Sequence, residues 1–174
     1  GEEVSRLALD FFDQSMDLHH MDSDDRLLLE IAALTHELGM YVRVGGHHRH
    51  AAYLISASPL IVLDKYEKLI LSQIVRYQRK AEPSESHPEF QRLKREEKKK
   101  VWQLSALLRV AIALNKDRRS RVKNIKVNID KKSVTLYLPD SSDMLLERWA
   151  VLKTAPYFKQ ALGRSLHMKI DPVK

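Results

Sequence analysis

The chain has 174 residues, 44% of them hydrophobic and 30% charged, with a formal net charge of +7. That length suits one domain with room for a small appendage, and the composition is that of a globular protein rather than a fibrous or disordered one. Cysteine is absent and no apolar run approaches a membrane span or a signal-peptide core, so disulfide frameworks, thiolate chemistry and a membrane location are excluded, and a reducing cytoplasm is the expected setting.

The first residues, Gly1-Glu2-Glu3, pass directly into helical spacing, and the chain reads as part of a longer protein. Val4, Leu7, Ala8, Phe11, Phe12 and Ser15 share one stripe, which predicts a helix over residues 4–18. Ser23 is the expected N-cap of a second helix, with Asp24 and Asp25 in its first turn and Gly39 as the left-handed residue at its end. Its body, residues 27–38, is apolar on most sides and predicts the central buried helix. A Gly45-Gly46 break precedes a short helix over residues 48–57 that stops before Pro59. Asp64 caps the next, residues 65–79, with Leu69, Ile70, Ile74 and Tyr77 inward.

Residues 81–88, AEPSESHP, read as a loop. A long helix follows over residues 94–115, its outer half charged (KREEKKK) and its inner half apolar (VWQLSALLRVAIAL). The period then changes to two: NIKVNID and SVTLYLP, split by Lys131-Lys132, predict a hairpin. After Asp143 a helix is expected, with Met144, Leu145, Trp149 and Leu152 as its buried stripe, a kink or split at Pro156 and an end at Gly163. SLHMKI predicts a last strand. The fold class is therefore mainly α, a helical domain over residues 1–120 followed by a small β-β-α-β appendage over residues 121–174.

The positive charge is concentrated. Residues 76–126 hold 16 Lys and Arg against 6 Asp and Glu, whereas residues 1–75 hold 6 against 12. Such a field favours a polyanionic partner. In RLKREEKKK, Glu96 and Glu97 lie at helix-pair distance from Lys100, so much of that run is a solvated face. Arg118, Arg119 and Arg121 have only Asp117 among them and form the better anion patch. Arg76 and Arg79 form another, although cations also suit a helix C-terminus. No aromatics interleave with these charges and no nucleic-acid motif is present, so a nucleic-acid partner is not expected. A polyanion without bases to read needs charge alone.

VGGHHRHAAYLI, residues 44–55, admits three readings. His47, His48 and His50 can contribute to a metal site, although zinc usually takes three or four ligands and cysteine is unavailable. Alternatively, the glycine pair opens a helix N-terminus whose amides join Arg49 and a protonated His48 or His50 in gripping phosphate. In the third reading one ring packs in the core while the others face water. Arg109, alone in an apolar run, needs an acidic partner such as Glu37 or a bound anion.

LEIAALTHELG resembles the helix of the HD phosphohydrolase superfamily that carries its His-Asp pair, with Glu37 standing where that family has Asp after His36. The superfamily's first histidine falls at or before Gly1, and its last aspartate falls on Ile112 in LLRVAIAL, whose apolar side chain cannot ligate a cation. AALTHELG, GGHHRHAAYLI, VRYQRK and LLRVAIALN, in that order and spacing, are similar more narrowly to the C-terminal helical domain of the exopolyphosphatase/guanosine pentaphosphate phosphohydrolase family. Gln78 stands where relatives often carry His.

The resemblance implies a degenerate HD-like domain within a larger hydrolase, whose catalysis and Mg²⁺ belong to N-terminal actin-like domains not in this chain. It implies no cofactor here, a role in binding polyphosphate or guanosine pentaphosphate, and help in forming a homodimer. The expected anion contacts are His48, Arg49, His50, Arg76, Arg79, Arg118, Arg119 and Arg121, with no catalytic residue. Two alternatives stay open: a variant metal-dependent phosphohydrolase using His36 and Glu37, and a regulatory interaction module with no phosphate ligand.

Overall fold

The stripe that begins at Val4 folds as α1 (Glu2–Gln14), and a short α2 (Met16–His19) continues it after a break at Ser15. Val4, Leu7, Ala8, Phe11 and Phe12 are all buried, as residues on one face of an amphipathic helix must be. The computed structural model describes residues 1–59, 62–119, 121–139 and 143–171. The domain boundary read at residue 120 lies outside them.

Helix α3 (Ser23–Thr35) is capped by Asp22 rather than Ser23. The Asp22 carboxylate accepts from the amides of Asp24 and Asp25 at 3.0 Å, and Asp25 accepts in return from the Asp22 amide. A full negative charge at the positive end of the helix dipole favours the carboxylate over the hydroxyl. Gly39 does not end this helix in a left-handed conformation. It lies in a 3-10 turn (Leu38–Tyr41), where a Cβ would come 1.8 Å from the His47 carbonyl oxygen. Glycine is needed there for close approach, not for a positive φ.

Gly46, at φ 75°, leads into α4 (His47–Ala57), and Asp64 caps α5 (Lys65–Arg76) in a reciprocal box with Glu67. Helix α5 ends three residues earlier than its periodicity predicts. A one-turn α6 (Pro88–Gln91) interrupts the loop before α7 (Arg95–Leu114). Helix α7, not α3, is central. It packs against α1, α3, α5 and the C-terminal helix, burying Val101, Leu104, Leu107, Leu108, Ala111 and Leu114. Helix α3 keeps Leu27 and Leu34, two turns apart on one side, exposed to water.

The predicted hairpin forms from β1 (Lys126–Ile129) and β2 (Ser133–Pro139), antiparallel with Lys126 opposite Tyr137. Helix α8 (Leu145–Leu162) crosses over, and β3 (Ser165–Asp171) joins β2 in parallel, giving the order β1-β2-β3. Gly163, at φ 69°, ends α8 as expected.

Helix α8 is not split, and it buries a different face from the one expected. The helix runs unbroken through Pro156, because losing one backbone donor is offset by burial of Tyr157 and Phe158 just beyond it. Of the expected stripe only Met144 is buried: Leu145, Trp149 and Leu152 are 78%, 52% and 69% exposed, while Ala150, Val151, Tyr157, Phe158 and Leu162 are buried. The aromatic pair decides the facing. Phe158 stacks on Phe11 with ring centroids 5.8 Å apart, Tyr157 stacks on Trp102 at 5.0 Å, and the Tyr157 hydroxyl meets Ser105 Oγ at 2.7 Å. Adjacent rings bury more area than the leucines opposite them. One continuous cluster of buried side chains joins α1 and α7 to Leu136 of β2 and Leu166 of β3.

Candidate functional site

A groove of about 1030 Å³ is lined by α4, α5 and the segment 87–92. Five cations line it, Arg49, Lys65, Lys68, Arg76 and Arg92, against one carboxylate, Glu89. Arg76 is paired with Glu89 at 3.3 Å, and Lys68 Nζ donates to the Ser58 carbonyl at 2.7 Å. Arg49, Lys65 and Arg92 have no acidic partner among the described residues. Guanidinium groups grip phosphate oxygens in pairs, and ammonium groups add point charge. His87 also lines the groove; the Tyr77 hydroxyl and His87 Nδ1 share a hydrogen bond at 2.6 Å, and burial pushes Tyr77 up to about 12.

The eight anion contacts expected from sequence are dispersed. Arg49 and Arg76 line the groove. His48 is buried instead of facing a ligand. Burial and the charge of Arg79 push it down to about 4, so it is neutral where it was expected to carry charge. Arg79 is turned to His47, donating Nη1–H to Nε2 at 2.8 Å. Its charge, after burial, holds His47 below the usual histidine range. His47 Nδ1 and His48 Nδ1 have no hydrogen-bond partner. His50 is half-buried and lies outside the groove lining.

The exit of α7 differs from the open patch that the sequence suggested. Arg121 is held by Asp117 at 2.5 Å and by Asp143 at 3.2 Å. Arg119 lines a small hollow with Arg121 and three acids, Asp117, Asp143 and Glu147. The Arg119 amide, donating to Asp117 at 2.9 Å, together with nearby Arg121 holds the Asp117 carboxyl below its ordinary range. Arg118, at φ 60°, reaches Glu37 Oε1 at 2.5 Å.

That last contact bears on the metal alternative. His36 is buried, its Nδ1 donating to the Ala33 carbonyl at 2.5 Å, and its Nε2 lies 3.9 Å from Glu37. Burial holds it below the usual histidine range. The guanidinium of Arg118 already occupies the Glu37 carboxylate, and Ile112 lines the same hollow. The Arg118 charge beside Oε1 would repel a divalent ion placed on the same carboxylate. Among the described residues no group of three or more His, Cys, Asp and Glu converges on a common point. The residues at His36 do not fit a resident metal.

Arg109 takes neither an acid nor an open cavity. Its Nε donates to the Tyr77 carbonyl at 2.7 Å, its Nη2 donates to the Ala81 carbonyl, and the guanidinium stacks 3.7 Å over Tyr157. It serves the C-terminus of α5, whose last carbonyls need donors. Lys65 and Lys68 were not singled out in the sequence, and Arg92 stood only in RLKREEKKK, a run read largely as a solvated face. The i, i+3 spacing of the two lysines was a usable signal, but nothing along the chain points from them to Arg92.

Among the described residues no helix is long and apolar enough to cross a membrane. The model of the family described as Ppx/GppA phosphatase, domain III, matches residues 1–154. A guanosine-5'-triphosphate,3'-diphosphate pyrophosphatase from Pseudoalteromonas atlantica is 32% identical over 62 residues. That match covers 35% of this chain and 12% of the relative's length.

Proposed function

The chain belongs to the Ppx/GppA phosphatase family, as its domain III, and from that membership we propose that it binds the phosphate chain of a substrate cleaved by other domains of a larger hydrolase. The groove supports this reading: among the described residues Arg49, Lys65 and Arg92 have no acidic partner there, beside Arg76 and Lys68. Linear polyphosphate and guanosine pentaphosphate both present closely spaced anionic oxygens that such a groove suits. Catalysis, and the Mg²⁺ that goes with it, are assigned to the other domains. The Arg118–Glu37 pair counts against hydrolysis by a metal at His36. Homodimerisation belongs to the same proposal; Leu145, Trp149 and Leu152 offer an exposed apolar face for it, and the mass in solution tests it.

Titration of linear polyphosphate at several salt concentrations tests the ligand. Counterion release predicts that log K falls linearly with log salt, with a slope set by roughly three to five neutralised phosphates. Absence of binding even at low salt overturns the ligand and leaves the family membership standing.

A further inference from the structure

The three strands bury only one face. Val134, Leu136 and Leu138 of β2 and Leu166 of β3 join the core with α1, α7 and α8, and alternation sends the side chains between them to the other side. Two rows cross that outer face. Lys126 of β1, Tyr137 of β2 and Lys169 of β3 are partners in register, and Asn128, Thr135 and His167 form the next row. Lys126, Asn128, His167 and Lys169 are exposed, and Tyr137 is half-buried between the two lysines.

The charge on this face is one-sided. Among the described residues Lys126 and Lys169 have no acidic partner, nor do Lys131 and Lys132 in the hairpin turn. Arg164 Nε donates to the Asp130 carbonyl at 3.2 Å, which brings a further cation to that turn. Asp171, in register with Pro139 at the far end of β3, is the acid these strands carry. No aromatic interleaves with the basic runs along the chain, which argued against nucleic acid; across the sheet, Tyr137 stands between two lysines. Tyr137 stacks on no other ring among the described residues. Neighbouring strands lie about 4.8 Å apart, so the lysines flank the ring about 10 Å from each other. One base can then lie on the ring while the phosphates to either side meet the lysines. Asn128 and His167 carry donors and acceptors suited to base edges, for which a bare phosphate chain has no use.

We propose that the outer face of the sheet binds a single-stranded nucleic acid, with a base stacked on Tyr137 and the flanking phosphates held by Lys126 and Lys169. A duplex does not suit this face, because its bases are stacked on one another and offer no free surface. None of these residues lines the α4–α5 groove, so the proposal stands or falls independently of phosphate binding there.

Fluorescence anisotropy of a labelled oligouridylate of about ten nucleotides, titrated with the 174-residue chain at low salt, tests it. Tyr137→Ala is expected to lower affinity by about tenfold and Tyr137→Phe to retain it, since the ring remains. Lys126→Ala and Lys169→Ala together should reduce the slope of log K against log salt by about 1.4, two phosphates at about 0.7 each on a single strand. Arg49→Ala in the groove should leave the affinity within about twofold. An oligodeoxythymidylate of the same length, titrated in parallel, tells RNA from DNA through the 2′-hydroxyl. Amide NMR of the unsubstituted chain checks the location without any variant: the oligomer should shift signals of β1, β2 and β3. Shifts confined to α4 and α5, wild-type affinity in Tyr137→Ala, equal binding of a duplex, or no binding at low salt would each overturn the proposal.

Discussion

Arginines gather in two places, the α4–α5 groove and the exit of α7, and the two differ in which acids reach them. At the exit, Arg118 is paired with Glu37, 81 residues away in sequence, and Arg121 with Asp143, 22 residues away. In the groove, Glu89 reaches Arg76, while Arg49, Lys65 and Arg92 stay unpaired. Along the chain the exit is the denser cluster; among the described residues the groove keeps more cations without an acidic partner. Net field at a surface depends on the carboxylates that folding delivers, and these come from elements distant in sequence.

The largest expected effect is on binding. Replacing Arg49, Lys65 and Arg92 together with alanine should weaken polyphosphate binding by about 100-fold at low salt. Replacing Arg119 and Arg121 should change it by less than about threefold. Salt-dependent titrations of both variants check this, and equal losses would dissolve the contrast between the two regions.

Acid sensitivity tests whether histidines share in the groove's charge. His48 in the folded chain is held at about 4, below the ordinary histidine value of 6.5. Above 6.5 the ring is neutral in both states, and its contribution to stability is complete. As pH falls from 6.5 toward 4, the unfolded chain takes up a proton that the folded chain refuses, so stability falls across that window. Urea melts between pH 7 and 4.5 should show this decline, and His48→Gln should flatten part of it. Polyphosphate affinity at pH 6 should not depend on His48.

A smaller effect is expected from Arg121→Ala, which strands Asp117 and Asp143. It should lower the urea midpoint without changing polyphosphate affinity, the reverse of the pattern expected for Arg92→Ala. The smallest is a gain: Glu89→Gln frees Arg76 and should raise polyphosphate affinity by about twofold to fivefold. No gain would mean that Arg76 does not reach the ligand.

Much of the fold was legible in the sequence because its signals are local. Asp64 caps α5 as read, its carboxylate and the amides it meets lying within one helical turn, and Gly163 closes α8 for the same reason of short range. The hairpin around Lys131-Lys132 needed only period-two alternation. The facing of α8 was not legible, since it carries two apolar stripes and choosing between them requires knowing that Phe11 awaits Phe158. The site was less legible than the fold. Arg49 and Arg76 were found by type and spacing, whereas Arg92 joins them only through the packing of α4 on α5 and the return of segment 87–92.

Sequence by itself determined the helices, the hairpin, the excess of positive charge and the family, because periodicity, capping and ordered motifs are all written along the chain. Tertiary structure alone decided which cations remain free and which histidines are neutral. The physical reason is distance. A side chain's charge state and pairing depend on groups within a few ångströms, and in this fold those groups come from residues as far as 117 positions away.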